Sequence, residues 1–189
     1  MLKIVGGKHR GRSIATPEGQ TTRPTASRAR EALFNILMHA NWTSDGTSPL
    51  IEARVLDAFA GSGALGLEAL SRGASHATFL DSDPAAIKLI GENIRKLGET
   101  GAAKVIRADA TGPPPSREPC DLVFLDPPYR SGLATPALAA LAEAGWLKPG
   151  GIATVELANA EDLVTPPRFE TIDERRYGAA KIVILRHAP

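Results

Sequence analysis

Residues 55–66 read VLDAFAGSGALG, and their order of residue types decides the fold. A short apolar run ends in an acid, Asp57, and passes into glycines at 61, 63 and 66 that open a helical pattern. This is the turn from a first parallel strand into its crossover helix, where glycine allows a tight bend and close backbone approach. Asp81 follows Gly61 at a spacing of about twenty residues, at the end of the next apolar run, HATFLD.

Downstream the alternation continues. PAAIKLIGENIRKLG is helical, AKVIRAD and CDLVFLD are strands, ATPALAALAEAGW is a helix and GIATVEL a strand. Short apolar strands joined by amphipathic helices predict a parallel sheet covered on both faces. FETIDERRYG and AAKIVILRHA have no helix between them and predict an antiparallel hairpin at the sheet edge, while TGPPPSREP is a stiff loop. Upstream, LKIVGG and GRSIATP flank KHR as a short hairpin. A helix follows TTRPT, with Ala29, Ala32, Leu33, Ile36, Leu37 and Ala40 at helical spacing and Thr25 as a candidate N-cap.

The chain has 189 residues, enough for one domain with a real core. A single cysteine, Cys120, excludes an internal disulfide, and four scattered histidines argue against a metal site. No apolar run approaches the roughly 20 residues of a membrane helix, and MLKIVGGKHRGR is no signal peptide, so the expected location is cytoplasmic. Charge is uneven. Residues 1–30 hold Lys3, Lys8, Arg10, Arg12, Arg23, Arg28 and Arg30 against Glu18 alone, a basic arm on an acidic body. Such an arm suits a polyanion, nucleic acid first, although a solvated arm without a partner has the same signature.

By spacing alone the glycines and Asp81 form a dinucleotide fingerprint. Asp57 argues against it, because its carboxylate would face and repel a pyrophosphate. S-adenosylmethionine, a nucleoside without phosphate that carries a sulfonium and an ammonium, suits the loop better. Asp81 would accept the ribose hydroxyls and Asp109, after VIRA, the adenine amine. Asp83 before Pro84 reads as a helix N-cap. Glycines at such turns are often structural and strand-tip aspartates often caps; three acids around one glycine loop favour a nucleoside site.

FLDPPYRSG, residues 124–132, ends a fourth strand beside that site. An exocyclic base amine is a poor nucleophile until its lone pair is drawn out of the ring. Asp126 and the carbonyl of Pro127 would accept its two N–H bonds, the prolines holding that carbonyl rigidly, and Tyr129 would stack on the base.

DAFAGSG together with DPPY resembles the class I S-adenosylmethionine-dependent amino-methyltransferases. With IVGGKHRGRSIATP, TRPTASRAREALFNIL and DLVFLDPPY added, nearly the whole chain is similar to the bacterial 16S rRNA guanine-N2 methyltransferases of the RsmD type, which modify guanine 966. The resemblance weakens in TGPPPSREP and the last strands. It implies a Rossmann-like, seven-stranded, mostly parallel sheet with an antiparallel C-terminal hairpin, residues 1–24 being a basic β-hairpin arm and residues 25–189 the methyltransferase domain. It implies cofactor contacts at Asp57, Phe59, Gly61, Ser62, Gly63, Asp81, Ser82, Asp109 and Ala110, with Thr25 and Arg28 near the methionine end. Asp126, Pro127, Pro128 and Tyr129 would be catalytic, and Lys8, Arg10, Arg12, Arg23 and Arg130 would meet RNA. Arg28, Glu31 and Asn35 share a helix face that a merely solvated face would match. The implied partner is 16S rRNA, within an assembling 30S particle, for a monomer with neither metal nor membrane.

A DNA adenine-N6 methyltransferase would share the catalytic residues but usually adds a target-recognition domain. An NAD-binding protein would leave DPPY without a role. Pro119-Cys120 mimics the nucleophile of cytosine-C5 enzymes, yet stands at the wrong end of its strand and reads as core.

Overall fold

The computed structural model describes residues 1–17, 24–43 and 46–188, residues 24–26 by backbone alone. Strands β1 (Leu2–Lys3) and β2 (Ser13–Ile14) pair antiparallel, Leu2 opposite Ile14, around a 3-10 turn at Gly7–His9. This is the expected hairpin, and it is anchored rather than free. Ile4 and Ile14 are buried in the main core. The carboxylate of Glu68, itself fully buried, accepts the N–H groups of Val5 and Gly6 at 2.8 Å each and the Arg72 Nε–H at 2.7 Å. A buried charge with three donors is satisfied where a lone one would be costly.

Helix α1 (Pro24–His39) lays Ala29, Leu33, Phe34 and Leu37 on the core, Phe34 tilted against Phe124 at 5.5 Å. One residue of the basic arm is thereby reassigned. Arg30 turns inward, is 6% exposed, and donates from Nη2 to the Lys3 carbonyl at 2.8 Å, so it adds nothing to the arm's surface charge.

The central sheet follows the predicted alternation: β3 (Arg54–Ala58), α2 (Ala64–Ser71), β4 (His76–Asp81), α3 (Pro84–Leu97), β5 (Ala103–Arg107), β6 (Cys120–Leu125), α4 (Ala134–Glu143) and β7 (Leu147–Ala158). β8 (Phe169–Tyr177) and β9 (Ala180–His187) close the edge. Among the described residues the seven strands lie in the order β5-β4-β3-β6-β7-β9-β8, parallel from β5 to β7 and antiparallel thereafter. β7 begins earlier than GIATVEL implies. Its Lys148–Gly151 segment, with Gly150 at φ 76°, is absorbed into the strand at a register shift between Cys120 and Leu122 of the neighbouring strand, an irregularity that takes up extra residues.

α3 shows how local sequence sets an element. Ala86, Ile90, Asn93, Ile94 and Leu97 recur on one buried face; Asp83 caps the start by accepting the Ala85 N–H at 2.9 Å, and Gly98 ends it with φ 79°. One core layer, with Leu67, Phe79, Ile90 and Phe124, fills the face under α1, α2 and α3. The other, with Leu125, Leu138, Trp146 and Val155, lies under α4. From β3 the chain runs outward to β4 and β5, then returns to place β6 on the opposite side. The carboxyl ends of β3 and β6 therefore form the switch point where α/β sheets bind ligands.

Candidate functional site

At that switch point the glycine loop is held by acids. Asp57, 1% exposed, accepts the Gly66 N–H at 2.8 Å. Burial pushes its pKa up to about 7, the nearby Asp81 adding to the rise and the Gly66 bond opposing it. Asp81 takes the Gly61 N–H at 2.8 Å on one oxygen and the Asp83 N–H at 2.9 Å on the other, tying the loop to the tip of β4. The glycines are required for two reasons. Gly63 has φ 77°, and a Cβ on Gly66 would lie 2.3 Å from the buried Phe79 ring. Phe59 adopts φ 64° without being glycine, a conformation that clusters at functional sites.

Further along the tips, Asp109 is exposed two residues beyond β5. Its Oδ1 accepts both the N–H and the hydroxyl of Thr111 at 2.8 Å, and these bonds hold its carboxyl below the usual range. Ala110 is buried beside it and Ser82 is exposed. The Ser62 carbonyl accepts from Asn93 at 2.9 Å, and the same buried amide exchanges bonds with the backbone of Ala15 at 2.8 and 3.0 Å. Asn93 thus links hairpin and glycine loop.

Asp126 to Tyr129 follow β6 directly. Asp57 pairs in register with Phe124, and Leu125 with Val155. Side chains alternate along a strand, so Asp57, Asp126 and Glu156 project to one face from three adjacent strands. Asp126 is open to solvent yet walled by protein. Desolvation first, then the charges of Glu156 and Asp57, raise its pKa well above the carboxylate range. The Tyr129 hydroxyl donates to Glu156 Oε1 at 2.7 Å, and 41% of Tyr129 is exposed. Burial raises the pKa of Glu156 too, against the Tyr129 bond and the charge of Arg30. Arg30 itself is pulled down by burial, and its Nε is buried with no hydrogen-bond partner.

Beyond the tyrosine, Arg130 has φ 58° and its N–H donates to Glu161 Oε1 at 2.7 Å, while Glu161 Oε2 accepts the Ala158 N–H at 2.8 Å. One carboxylate therefore clamps the DPPY turn to the end of β7. Among the described residues no group of three or more histidine, cysteine or acidic side chains could hold a metal.

Not every candidate converges here. Lys8 pairs with Glu99 at 2.7 Å, and Arg12 donates to the carbonyls of Leu97, at 3.2 Å, and Lys96. These partners sit at the end of α3, which has run back from the tip of β4, so Lys8 and Arg12 lie at the sheet edge away from the acids. Arg10, Arg28 and Arg130 are exposed. Arg23 and the side chain of Thr25 lie outside the described residues. Cys120 starts β6, 2% exposed, with burial pushing its thiol up to about 12, the profile of an inert core residue.

Sequence reading missed Glu156, Glu161 and Asn93. Only Glu156 left a signal, since TVE ends an apolar run in an acid as FLD does at Asp126.

A family model described as conserved hypothetical protein 95 matches residues 2–186. The chain is 36% identical to ribosomal RNA small subunit methyltransferase D of Haemophilus influenzae, over 94% of this chain and 89% of that one. It is 38% identical to the protein of the same name from Escherichia coli, over 88% and 79%. The solved structure of yhhF from Escherichia coli superposes with a TM-score of 0.81 at 33% identity, covering 99% of this chain and 98% of that one.

Proposed function

Because this chain belongs to the family of ribosomal RNA small subunit methyltransferase D, we propose that it transfers a methyl group from S-adenosylmethionine to the N2 amine of a guanine in 16S rRNA. The carrying observation is the placement of Asp126-Pro127-Pro128-Tyr129 beside the acid-lined glycine loop at the switch point.

The residues present fit the cofactor. A buried acid with a raised pKa, reinforced by a second acid, is a site that gains from an organic cation and would repel a pyrophosphate. When bound, S-adenosylmethionine supplies an electrophilic methyl on a sulfonium. Asp57 would hold its cationic end, Asp81 the ribose, and Asp109 with Ala110 the adenine, with Phe59, Ser62 and Ser82 lining the loop.

The rest is orientation. Asp126 and the Pro127 carbonyl accept the two amine N–H bonds and turn the lone pair toward the methyl. Tyr129 offers a face for the base, which must be splayed out of its stack. As the amine becomes cationic, the Asp126 carboxylate, whose proton affinity is already raised, takes the surplus proton.

Residues 1–24 form the RNA-facing arm in this reading and residues 25–189 the catalytic domain, with Lys8, Arg10 and Arg12 on the arm and Arg130 on the domain as the exposed candidates of described side chain. The test is methyl transfer from labelled S-adenosylmethionine to 30S particles lacking the guanine modification, with unmethylated duplex DNA alongside. N2-methylguanine in 16S rRNA is the expected product. Label in DNA adenine would keep the chemistry and overturn the substrate.

A further inference from the structure

We propose that Glu156 is the specificity-determining residue that reads the N1–H of the target guanine, so that the carboxyls on the tips of β6 and β7 together recognise a guanine edge and reject adenine. The inference rests on the guanine reading above.

Placement comes first. Leu125 pairs with Val155, so Asp126 and Glu156 are the next residues on neighbouring parallel strands and share a face. The Tyr129 hydroxyl donates to Glu156 Oε1 at 2.7 Å, which fixes the carboxylate relative to the ring proposed for stacking. Burial raises the pKa of Glu156, and the charge of Arg30, 6% exposed on α1, opposes that rise together with the Tyr129 bond. An acceptor thus sits beside the position assigned to the amine, held by the Tyr129 hydroxyl.

Base chemistry supplies the rest. With its two N2 hydrogens on Asp126 and Pro127, guanine presents N1–H, a donor, immediately beside its amine. Adenine presents N1 as a bare acceptor beside its own amine. A carboxylate accepts from the first and repels the second. A site built to hydrogen-bond one group discriminates strongly against an analogue that leaves its buried acceptor unpaired.

The experiment compares 30S particles reconstituted with guanine or with 2-aminopurine at the target position, which keeps the N2 amine but has an unprotonated N1. The wild-type enzyme is expected to favour guanine in kcat/KM by on the order of a hundredfold. In Glu156→Gln the side-chain amide donates to an unprotonated N1, so guanine turnover falls while 2-aminopurine gains, and the ratio narrows to near unity or inverts. A role confined to holding Tyr129 would lower both substrates together and leave the ratio unchanged, overturning the proposal. Wild-type enzyme that methylates both bases equally would overturn it without any variant. Methylation of neither base would remove the guanine reading and this inference with it.

Discussion

Replacing Asp57 with asparagine should make the protein more stable at neutral pH and worse at its task. The buried carboxyl holds its proton up to a pKa of about 7, against an ordinary 3.8. It therefore binds its proton more tightly folded than unfolded, and its penalty is absent below the unfolded pKa, grows as pH rises toward 7 and is constant above. Each pH step in that window is about 1.4 kcal/mol, so ionised Asp57 costs the empty fold about 4 kcal/mol at pH 8 and about 1.6 kcal/mol at pH 5. Asparagine escapes the titration and still offers an oxygen to the Gly66 N–H, which lies 2.8 Å away in the native protein. In a chain of this size 1 kcal/mol moves Tm by about 2–4 °C. The Tm advantage of Asp57→Asn should then widen by roughly 5–10 °C between pH 5 and pH 8, measured by scanning calorimetry without cofactor. Calorimetric titration should show S-adenosylmethionine binding weakened in the variant. In the wild type the affinity should fall as pH drops below about 7, because the cation requires the carboxylate. A Tm gap that stays flat or shrinks with rising pH would refute the assignment of a buried, reluctantly ionised Asp57.

Asp126→Ala should abolish turnover while leaving S-adenosylmethionine affinity within a few-fold by calorimetry; lost binding would place Asp126 in the cofactor site instead. Gly66→Ala must accommodate a Cβ 2.3 Å from the Phe79 ring, and denaturant unfolding should register a loss of about 1–3 kcal/mol. Glu68→Ala leaves the Val5 and Gly6 N–H groups and Arg72 without their shared acceptor, a cost of about 3–5 kcal/mol by the same measurement. Arg10→Glu should weaken binding to 16S rRNA and flatten the dependence of log affinity on log salt. An unchanged slope would leave the arm merely solvated.

Strand–helix alternation and strand tips were legible because periodicity and terminal acids are local signals: VLD, FLD and FLD mark Asp57, Asp81 and Asp126, and the glycines at 61, 63 and 66 announce the turn. Asp83 before Pro84 was legible as a cap for the same reason, since its partner is two residues away. What stayed hidden depends on partners distant in the chain. Glu68 reads as an exposed helix position until the hairpin, 63 residues earlier, lands on it. Lys8 and Arg12 read as free basic charge until the end of α3 meets them, and Arg30 as arm charge until α1 turns it inward. Glu161 gives no hint in a polar loop, although it secures Arg130 in its left-handed conformation. Glu156 carried the same apolar-run-then-acid signal as Asp126 but lacks the prolines and aromatic that draw attention there.

The shared amide of Asn93 bears on any attempt to re-engineer the molecule. Its Nδ2 serves both the Ala15 and the Ser62 carbonyls, and its Oδ1 receives the Ala15 N–H. Transplanting another enzyme's glycine loop, or trimming the chain to begin at residue 24, alters one joint from either side and strands a buried amide. A minimal version starting at α1 would retain the glycine loop, the strand-tip acids and DPPY and still hold its cofactor loop slackly. The first seventeen residues belong to the chassis of the loop they never touch in sequence.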